Sequence, residues 1–250
     1  MSEIAYPLLL TTLAGACTLI GGLIFLLLKK VRPPHLSFFM GLSAGAILFV
    51  SLVELLPLSI EIVGFGWANA CFFGGMTVTA LIDFLLPHDY MGEQVGDKRN
   101  RRLMSVGMLT TIGIGIHNFP EGMAVFWGTI GDSEVGLMVA FATAIHNIPE
   151  GIAVALPIYA ATKDRLKALK FTFLAGVAEP IGALVAFALL GPFITDSLMG
   201  YVFAVIAGVM VFVSFDELLP CCFENRRGHT AIAGITVGMA VMALSLNFLI

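Results

Sequence analysis

Charged residues are scarce in this sequence, since Asp, Glu, Lys and Arg together make up only 12% of its 250 residues. A soluble globular domain has about a quarter of its residues charged, so the composition excludes an ordinary soluble domain. No Gly-rich phosphate-binding motif is present, and use of ATP is therefore not expected. The four cysteines lack the spacing of a disulfide framework or a zinc knuckle. A nucleic-acid partner is not expected.

A cleavable signal peptide is not expected either. The first apolar stretch is long, has no basic residues before it and ends in Lys29-Lys30. A signal peptide would instead begin with a basic segment and carry a short apolar core. We therefore interpret this stretch as the first membrane span.

Apolar stretches follow one another along the whole chain, and hydrophobic residues make up 58% of it. Each stretch has the roughly 20 residues that a transmembrane helix needs. The sequence therefore predicts an all-α polytopic membrane protein that forms a single transmembrane domain over residues 1–250. The eight predicted spans are 7–28, 38–59, 65–86, 103–127, 134–160, 167–190, 198–221 and 229–250.

The 13 lysines and arginines all fall in or beside alternate connections between these spans. Three connections, 60–64, 128–133 and 191–197, contain none. Under the positive-inside rule the basic connections are cytoplasmic. Both termini are therefore predicted to be non-cytoplasmic, and residues 87–102 are predicted to form a cytoplasmic loop between spans 3 and 4.

A six-residue motif occurs twice, as HNFPEG at 117–122 (the first motif) and HNIPEG at 146–151 (the second motif). In each copy the His and the Glu are four residues apart and share one face of a helix. The proline between them has no N–H, so the carbonyl four residues before it loses its helical partner. Each motif thus offers an imidazole, a carboxamide, a carboxylate and a freed carbonyl, which is a set of metal ligands.

A second internal similarity joins residues 40–57 with residues 203–220, which match at nine of eighteen positions without a gap. These segments lie in spans 2 and 7, which cross in opposite directions, as do spans 4 and 5 with the two motifs. Both pairings join span n with span 9−n, so we expect spans 1–4 and 5–8 to form an inverted repeat. Such repeats are common in secondary transporters, whose substrates bind near the midplane on interrupted helices.

Glu179 lies at the centre of span 6 and is followed by Pro180, which frees the carbonyl of Gly176. Three glutamates and two histidines thus share one membrane depth. If ionised and alone, three carboxylates would cost on the order of 8–10 kcal/mol in the membrane. Either they stay protonated or pair with one another, or divalent cations neutralise them. The spans offer no Lys or Arg as counter-ion, which favours cations.

Two adjoining metal positions follow from these residues. Two nitrogens and two oxygens from antiparallel helices can form a four-ligand site of His117, Glu121, His146 and Glu150. A second, oxygen-rich site can share the two glutamates as bridges and add Asn118, Asn147 and Glu179. Imidazole mixed with carboxylate suits zinc, iron and similar first-row metals, whereas magnesium and calcium prefer oxygen alone.

With Ala178-Glu179-Pro180 in span 6, the two motifs resemble the metal-site signature of the ZIP (zinc–iron permease) family, closest to its bacterial ZupT-like branch. The resemblance covers the whole chain. It implies uptake of a divalent metal into the cytoplasm across the bacterial inner membrane, chiefly zinc and also iron, manganese, cobalt or cadmium. The metal is then the transported substrate, and no catalytic cofactor is expected.

The resemblance carries the family's two metal positions onto this sequence residue by residue. The first position corresponds to His117, Glu121, His146 and Glu150, and the second to Asn118, Asn147 and Glu179 with both bridging glutamates. It also implies a homodimer in the lipid bilayer. It further suggests that spans 1, 4, 5 and 6 move as a transport unit against spans 2, 3, 7 and 8.

Other polar residues leave alternatives open. Glu54 and Glu217 are either entrance and exit way-stations for the metal or helix-end carboxylates that stabilise packing. His88 and Asp89 lie in the loop where many family members carry a His-rich stretch. They are either an exit-side metal contact or a solvated pair.

Two other classes of function compete with metal transport. A membrane di-metal enzyme would also hold carboxylate-bridged metals between helices, but such sites typically use Glu-x-x-His pairs and not His-x-x-x-Glu. A proton or anion carrier would titrate the glutamates without metal. We expect a transporter without enzymatic activity.

Overall fold

The computed structural model describes residues 4–27, 32–85, 97–190, 195–224 and 227–247, and these residues form eight long helices and no strand. Each predicted span overlaps one of the helices, which confirms the all-α class. The helices are α1 (Ala5–Leu26), α2 (Pro33–Val63), α3 (Phe65–Leu85), α4 (Lys98–Gly131), α5 (Ser133–Thr162), α6 (Arg165–Gly176, then Ala178–Val185 and Ala186–Leu190), α7 (Asp196–Phe223) and α8 (Gly228–Asn247).

Seven of the described helices are long and apolar enough to cross a membrane. The exception, α4, has 34 residues and is about 51 Å long at 1.5 Å per residue. Its length is thus sufficient, and its hydropathy is reduced by the basic residues at its start and by the polar first motif. The count of eight spans and the side on which the termini lie stay predictions.

The start of α4 corrects one predicted boundary. Residues 98–102, predicted as the end of a loop, are helical, because the side chain of Asp97 caps α4 by accepting a hydrogen bond of 2.9 Å from the backbone N–H of Asn100. Residues 86–96, which include His88 and Asp89, lie outside the described part of the chain.

The two similar segments of α2 and α7 share an unusual local structure. Each helix contains a π-helical turn, Val50–Leu55 in α2 and Ser214–Leu218 in α7, shortly before Pro57 and Pro220 respectively. A proline ring clashes with the carbonyl four residues earlier, and the wider π turn relieves the clash. The similarity found in the sequence therefore has a structural counterpart in the backbone.

Packing divides the helices into two groups. α1 packs extensively against α5, and α4 packs against both α5 and α6, so these four form one group. In the other group α2 packs against α8 and α3 against α7. The groups meet where α2 contacts α5 and where α4 contacts α7. These are the same two sets of helices that the family resemblance distinguishes.

The packing also shows how the outer helices are paired. Exchanging α2 with α7 maps the α2–α8 contact onto the α7–α3 contact, so α8 corresponds to α3. Exchanging α4 with α5 maps the α1–α5 contact onto the α6–α4 contact, so α1 corresponds to α6. The predicted pairing of α1 with α8 and of α3 with α6 is therefore wrong. The two pairs of matching segments that were found do not determine how the other four helices are related.

Glycines bring the helices of the first group into backbone contact. A Cβ atom at Gly122 in α4 would collide with the carbonyl oxygen of Glu179 in α6. The equivalent glycine of the second motif, Gly151 in α5, lies in the same way against the carbonyl oxygen of Thr18 in α1. Small residues at such crossings let two helix backbones approach closely. The last residue of each motif is thus a packing residue.

We expect Gly122→Ala to lower the free energy of unfolding by about 1–3 kcal/mol, because the added methyl group meets backbone that cannot rotate away. Gly115→Ala is the matched control on the same helix, since a Cβ there has no atom within 4 Å. It should leave stability unchanged or raise it slightly, as alanine favours helix over glycine by about 1 kcal/mol. Thermal melting of the detergent-purified variants measures both effects, and equal melting temperatures would contradict the packing role.

Candidate metal centre

The hairpin of α4 and α5 brings the two motifs side by side. Only Asp132 separates the two helices, and both continue through their internal prolines, Pro120 and Pro149. The helices therefore run antiparallel, and the His and the Glu of each motif point to the shared interface. All four of these side chains, two imidazoles and two carboxylates, come together as the sequence predicts.

The distances between these four side chains are those of a ligand cluster. Nε2 of His117 lies 3.3 Å from Oε2 of Glu121 and 3.5 Å from Oε1 of Glu150, and Nε2 of His146 lies 2.7 Å from Oε1 of Glu121. Ligand atoms of a tetrahedral zinc site with bonds of about 2.0 Å are about 3.3 Å apart. Little movement is needed to close the cluster around one cation.

An oxygen-rich half of the site adjoins this cluster. The side-chain N–H of Asn118 donates to the carbonyl of Ala175 in α6 at 3.1 Å. The side-chain N–H of Asn147 donates to the carbonyl of Ala14 in α1 at 2.8 Å and also to Oε1 of Glu179. These bonds fix both amides by their nitrogens.

Several oxygens in this half lack hydrogen-bond partners. Within the described residues, no partner contacts Oδ1 of either asparagine or Oε2 of Glu179. All three side chains are fully buried. A buried polar atom without a partner costs about 1–3 kcal/mol. Oxygens in this state are available to a cation.

Pro180 was predicted to free the carbonyl of Gly176, and the structure shows a helix break beside that residue. α6 is interrupted at Val177, between Gly176 and Ala178. The carbonyl oxygen of Gly176 lies against Gly15 of α1, 2.6 Å from the position that a Cβ there would take. Only a residue without a side chain at position 15 permits this contact. The freed carbonyl therefore packs on α1.

No lysine or arginine forms an ion pair with the three glutamates among the residues that the structure describes. The side chains of Glu150 and Glu179 are at most 2% exposed, and that of Glu121 is 14% exposed. If all three carboxylates are ionised, they need positive charge close by, and the two neighbouring imidazoles supply it only when protonated. Divalent cations meet that need and also fit the donor set.

A cavity of about 210 Å³ opens onto the His and Glu cluster from the end of the bundle opposite the basic start of α4. It is lined by His117, Glu121 and His146 and also by Glu54, which projects from the π turn of α2. Oε2 of Glu54 is buried and has no hydrogen-bond partner in the described ranges. Glu54 therefore shares a cavity with the candidate ligands.

Glu217, the counterpart of Glu54, lies in a different cavity of about 570 Å³. Its carboxylate is clustered with those of Asp83 and Asp216, all within 4.8 Å of one another. Basic residues at the start of α4, among them Lys98 and Arg101, line the same cavity. Their charge offsets the carboxylates without any metal, so the two members of this symmetric pair have different surroundings.

Two residues that bond to the site, Thr143 and Ser43, were not predicted from the sequence. Thr143 lies three residues before His146 on α5 and donates a hydrogen bond of 3.2 Å to Oε1 of Glu121. Ser43 of α2 donates to the carbonyl of Pro149 at 2.6 Å. The spacing of Thr143 on the face of its helix is a detectable signal, whereas Ser43 carries none because its partner is 106 positions away.

Comparison with known proteins gives consistent matches. Residues 91–246 match the family model described as ZIP zinc transporter, a region that includes both motifs and Glu179. A protein named zinc transporter ZupT from Chlorobium phaeovibrioides is 49% identical in an alignment that covers 100% of both chains. Proteins of the same name from Corynebacterium efficiens and Streptococcus mutans are 47% and 43% identical. Those two matches cover 98% and 95% of this chain and 97% and 95% of the relatives.

We expect His146→Ala to weaken binding of the first zinc ion by at least about 100-fold, because an imidazole ligand is lost from a site with few donors. Zinc bound to the purified protein is measured by equilibrium dialysis with elemental analysis. His229→Ala, on an exposed residue at the start of α8, is the control and should bind as the wild type does. Equal binding by the two variants would rule out His146 as a ligand.

Proposed function

This chain belongs to the ZIP zinc transporter family, and from that premise we propose that it carries Zn²⁺ into the cytoplasm through the candidate metal centre. The chain is a multi-pass integral membrane protein, and we place it in the bacterial inner membrane. One observation supports the proposal above all others: two imidazoles and two carboxylates converge between α4 and α5, and no lysine or arginine of the described residues pairs with them. The metal exchanges its ligands at this centre, and no covalent bond is made or broken.

The proposed site is binuclear. His117, Glu121, His146 and Glu150 bind the first cation with two nitrogens and two oxygens. The free oxygens of Asn118, Asn147 and Glu179 bind the second, and Glu121 and Glu150 bridge the two positions. Zinc prefers mixed nitrogen and oxygen ligands in tetrahedral geometry, which favours it for the first position. Iron, manganese, cobalt and cadmium remain further candidates, since the same donors bind other first-row and related metals.

Access to the site supports entry from the side opposite the basic residues. The cavity at Glu54 reaches His117, while the cavity beside Lys98 ends near Val106. His117 and Val106, which both belong to α4, are about 17 Å apart along the helix. The bundle between the two levels is filled by buried apolar residues of four helices: Met40, Ile114, Leu156 and Met210.

Transport then requires that the cavity at Glu54 close and that the layer of buried apolar residues between the two cavities open afterwards. The division of the helices into two packed groups supplies surfaces along which such a change can occur. We propose that α1, α4, α5 and α6 move with the bound metal against α2, α3, α7 and α8. Eight spans, non-cytoplasmic termini and assembly as a homodimer belong to the same proposal and follow from the family resemblance.

Loss of a bridging carboxylate should abolish transport. We expect Glu150→Ala to reduce zinc uptake into proteoliposomes that contain a zinc-sensitive dye by at least about tenfold, because both cations lose a ligand. Glu134→Ala, on an exposed glutamate in the first turn of α5, is the control and should transport normally. Uptake by Glu150→Ala at the rate of the wild type, or no uptake by the wild type above protein-free liposomes, would refute the proposal.

Glu54 is proposed to attract the cation into the cavity before the imidazoles bind it. Glu54→Gln keeps the size of the side chain and removes its charge, whereas Glu54→Asp keeps the charge. We expect the first variant to raise the zinc concentration needed for half-maximal uptake several-fold and the second to stay close to the wild type. If both variants behave alike, the charge at Glu54 has no part in entry, and the residue serves packing only.

A further inference from the structure

α1 carries a second copy of the α6 segment that contains Glu179. Residues 11–21 (TTLAGACTLIG) and 172–182 (TFLAGVAEPIG) are identical at six of eleven positions. The alignment places Thr18 opposite Glu179. It also agrees with the packing, which relates α1 to α6.

The two asparagines donate hydrogen bonds to residues at the same position of this alignment. The amide of Asn118 donates to the carbonyl of Ala175 in α6, and the amide of Asn147 donates to the carbonyl of Ala14 in α1. Ala14 and Ala175 are aligned with each other. Each motif is therefore anchored on its neighbouring helix at the same position of the repeated segment.

Close contacts between α1 and α6 are reciprocal in the same way. A Cβ at Gly15 would lie 3.3 Å from Cβ of Glu179, and a Cβ at Gly176 would lie 3.1 Å from Cβ of Thr18. Gly15 and Gly176 are aligned, and so are the two residues that they contact. Thr18 thus occupies the place on α1 that Glu179 occupies on α6.

The hydroxyl of Thr18 is buried without a partner. The residue is 0% exposed, and nothing in the described part of the chain forms a hydrogen bond with its Oγ1. The other two threonines of the repeated segment that are equally buried, Thr11 and Thr172, each donate to the carbonyl four residues earlier. Thr18 does not, so its hydroxyl is available to a ligand.

The exchange that relates α1 to α6 also identifies the direction of this hydroxyl. Glu179 accepts a hydrogen bond from Asn147 of the second motif, so by the same symmetry we expect Thr18 to lie on the side of Asn118 of the first motif. Oδ1 of Asn118 has no partner among the residues described. A threonine is two bonds shorter than a glutamate, so its hydroxyl does not reach the amide as the carboxylate of Glu179 does.

We propose that Thr18 is a ligand residue of the second metal position, where its Oγ1 and Oδ1 of Asn118 supply oxygens to the cation directly or through a bound water. This inference rests on the proposed binuclear site and extends it across α1. Thr18 is the neutral counterpart of Glu179. It completes the oxygen-rich half of the site without adding a fourth carboxylate.

The absence of a fourth charge has a functional consequence. Three ionised carboxylates leave two divalent cations with one net positive charge, whereas four would neutralise them fully. The number of charged ligands sets how tightly an oxygen site holds a divalent cation. A neutral residue at position 18 therefore keeps the second cation weakly bound and able to leave.

Zinc binding to purified variants tests the inference. Thr18→Val preserves shape and removes the hydroxyl, and we expect it to weaken the second zinc about tenfold while leaving the first unchanged. Thr18→Ser should restore most of that affinity. Thr18→Glu should strengthen the second zinc by about tenfold and slow zinc uptake into proteoliposomes, because release is hindered. Thr11→Val, which removes a buried hydroxyl that is already bonded, is the matched control and should bind both ions normally.

The outcomes separate this inference from the function on which it rests. Wild-type protein that binds no zinc would overturn both, and protein that binds only one ion would overturn the second position and the role of Thr18. If the wild type binds two ions and Thr18→Val binds them equally well, only the role of Thr18 is refuted. That role is also refuted if Thr18→Ser is as impaired as Thr18→Val, since the methyl group would then be what matters.

Discussion

The structure depends on the neutralisation of carboxylates inside an apolar helix bundle. Glu121, Glu150 and Glu179 meet between α4, α5 and α6, and no lysine or arginine of the described residues pairs with them. Ionised carboxylates in such a place are costly unless positive charge reaches them. The two imidazoles beside them can bind a divalent cation through their nitrogens, so the donor set is suited to a cation that binds and leaves. Stability of the empty bundle and affinity for metal are therefore opposed at this site.

Each six-residue motif performs three separate tasks. Its His and Glu face the other motif and form the cluster of candidate ligands. Its Asn anchors the helix to a backbone carbonyl of α1 or α6. Its Gly allows the backbone of that same neighbour to approach closely. Because ligand, anchor and contact are only a few residues apart, any shift of α1 or α6 moves the ligands as well.

The two halves of the bundle are similar in backbone and different in charge. The π turns of α2 and α7, the anchored asparagines and the reciprocal glycine contacts all follow one exchange of helices. The side chains break this similarity at two places. Glu54 lines the cavity of the metal centre while Glu217 lies among basic residues, and α1 has Thr18 at the position where α6 has Glu179. A transporter needs two ends that differ, and these substitutions supply the difference on a repeated framework.

The sequence by itself determined the helical class, the places of the helices and the cluster of His117, Glu121, His146 and Glu150, because hydropathy and a spacing of four residues are local properties. It also indicated that Pro180 frees the carbonyl of Gly176, since a proline acts on its own helix. Only the tertiary structure decided which helices pack against each other, that Glu54 and Glu217 have different surroundings, and that Ser43 bonds to the backbone of the second motif. Those facts depend on which backbones approach one another, and contact between residues more than a hundred positions apart leaves no pattern within either segment alone.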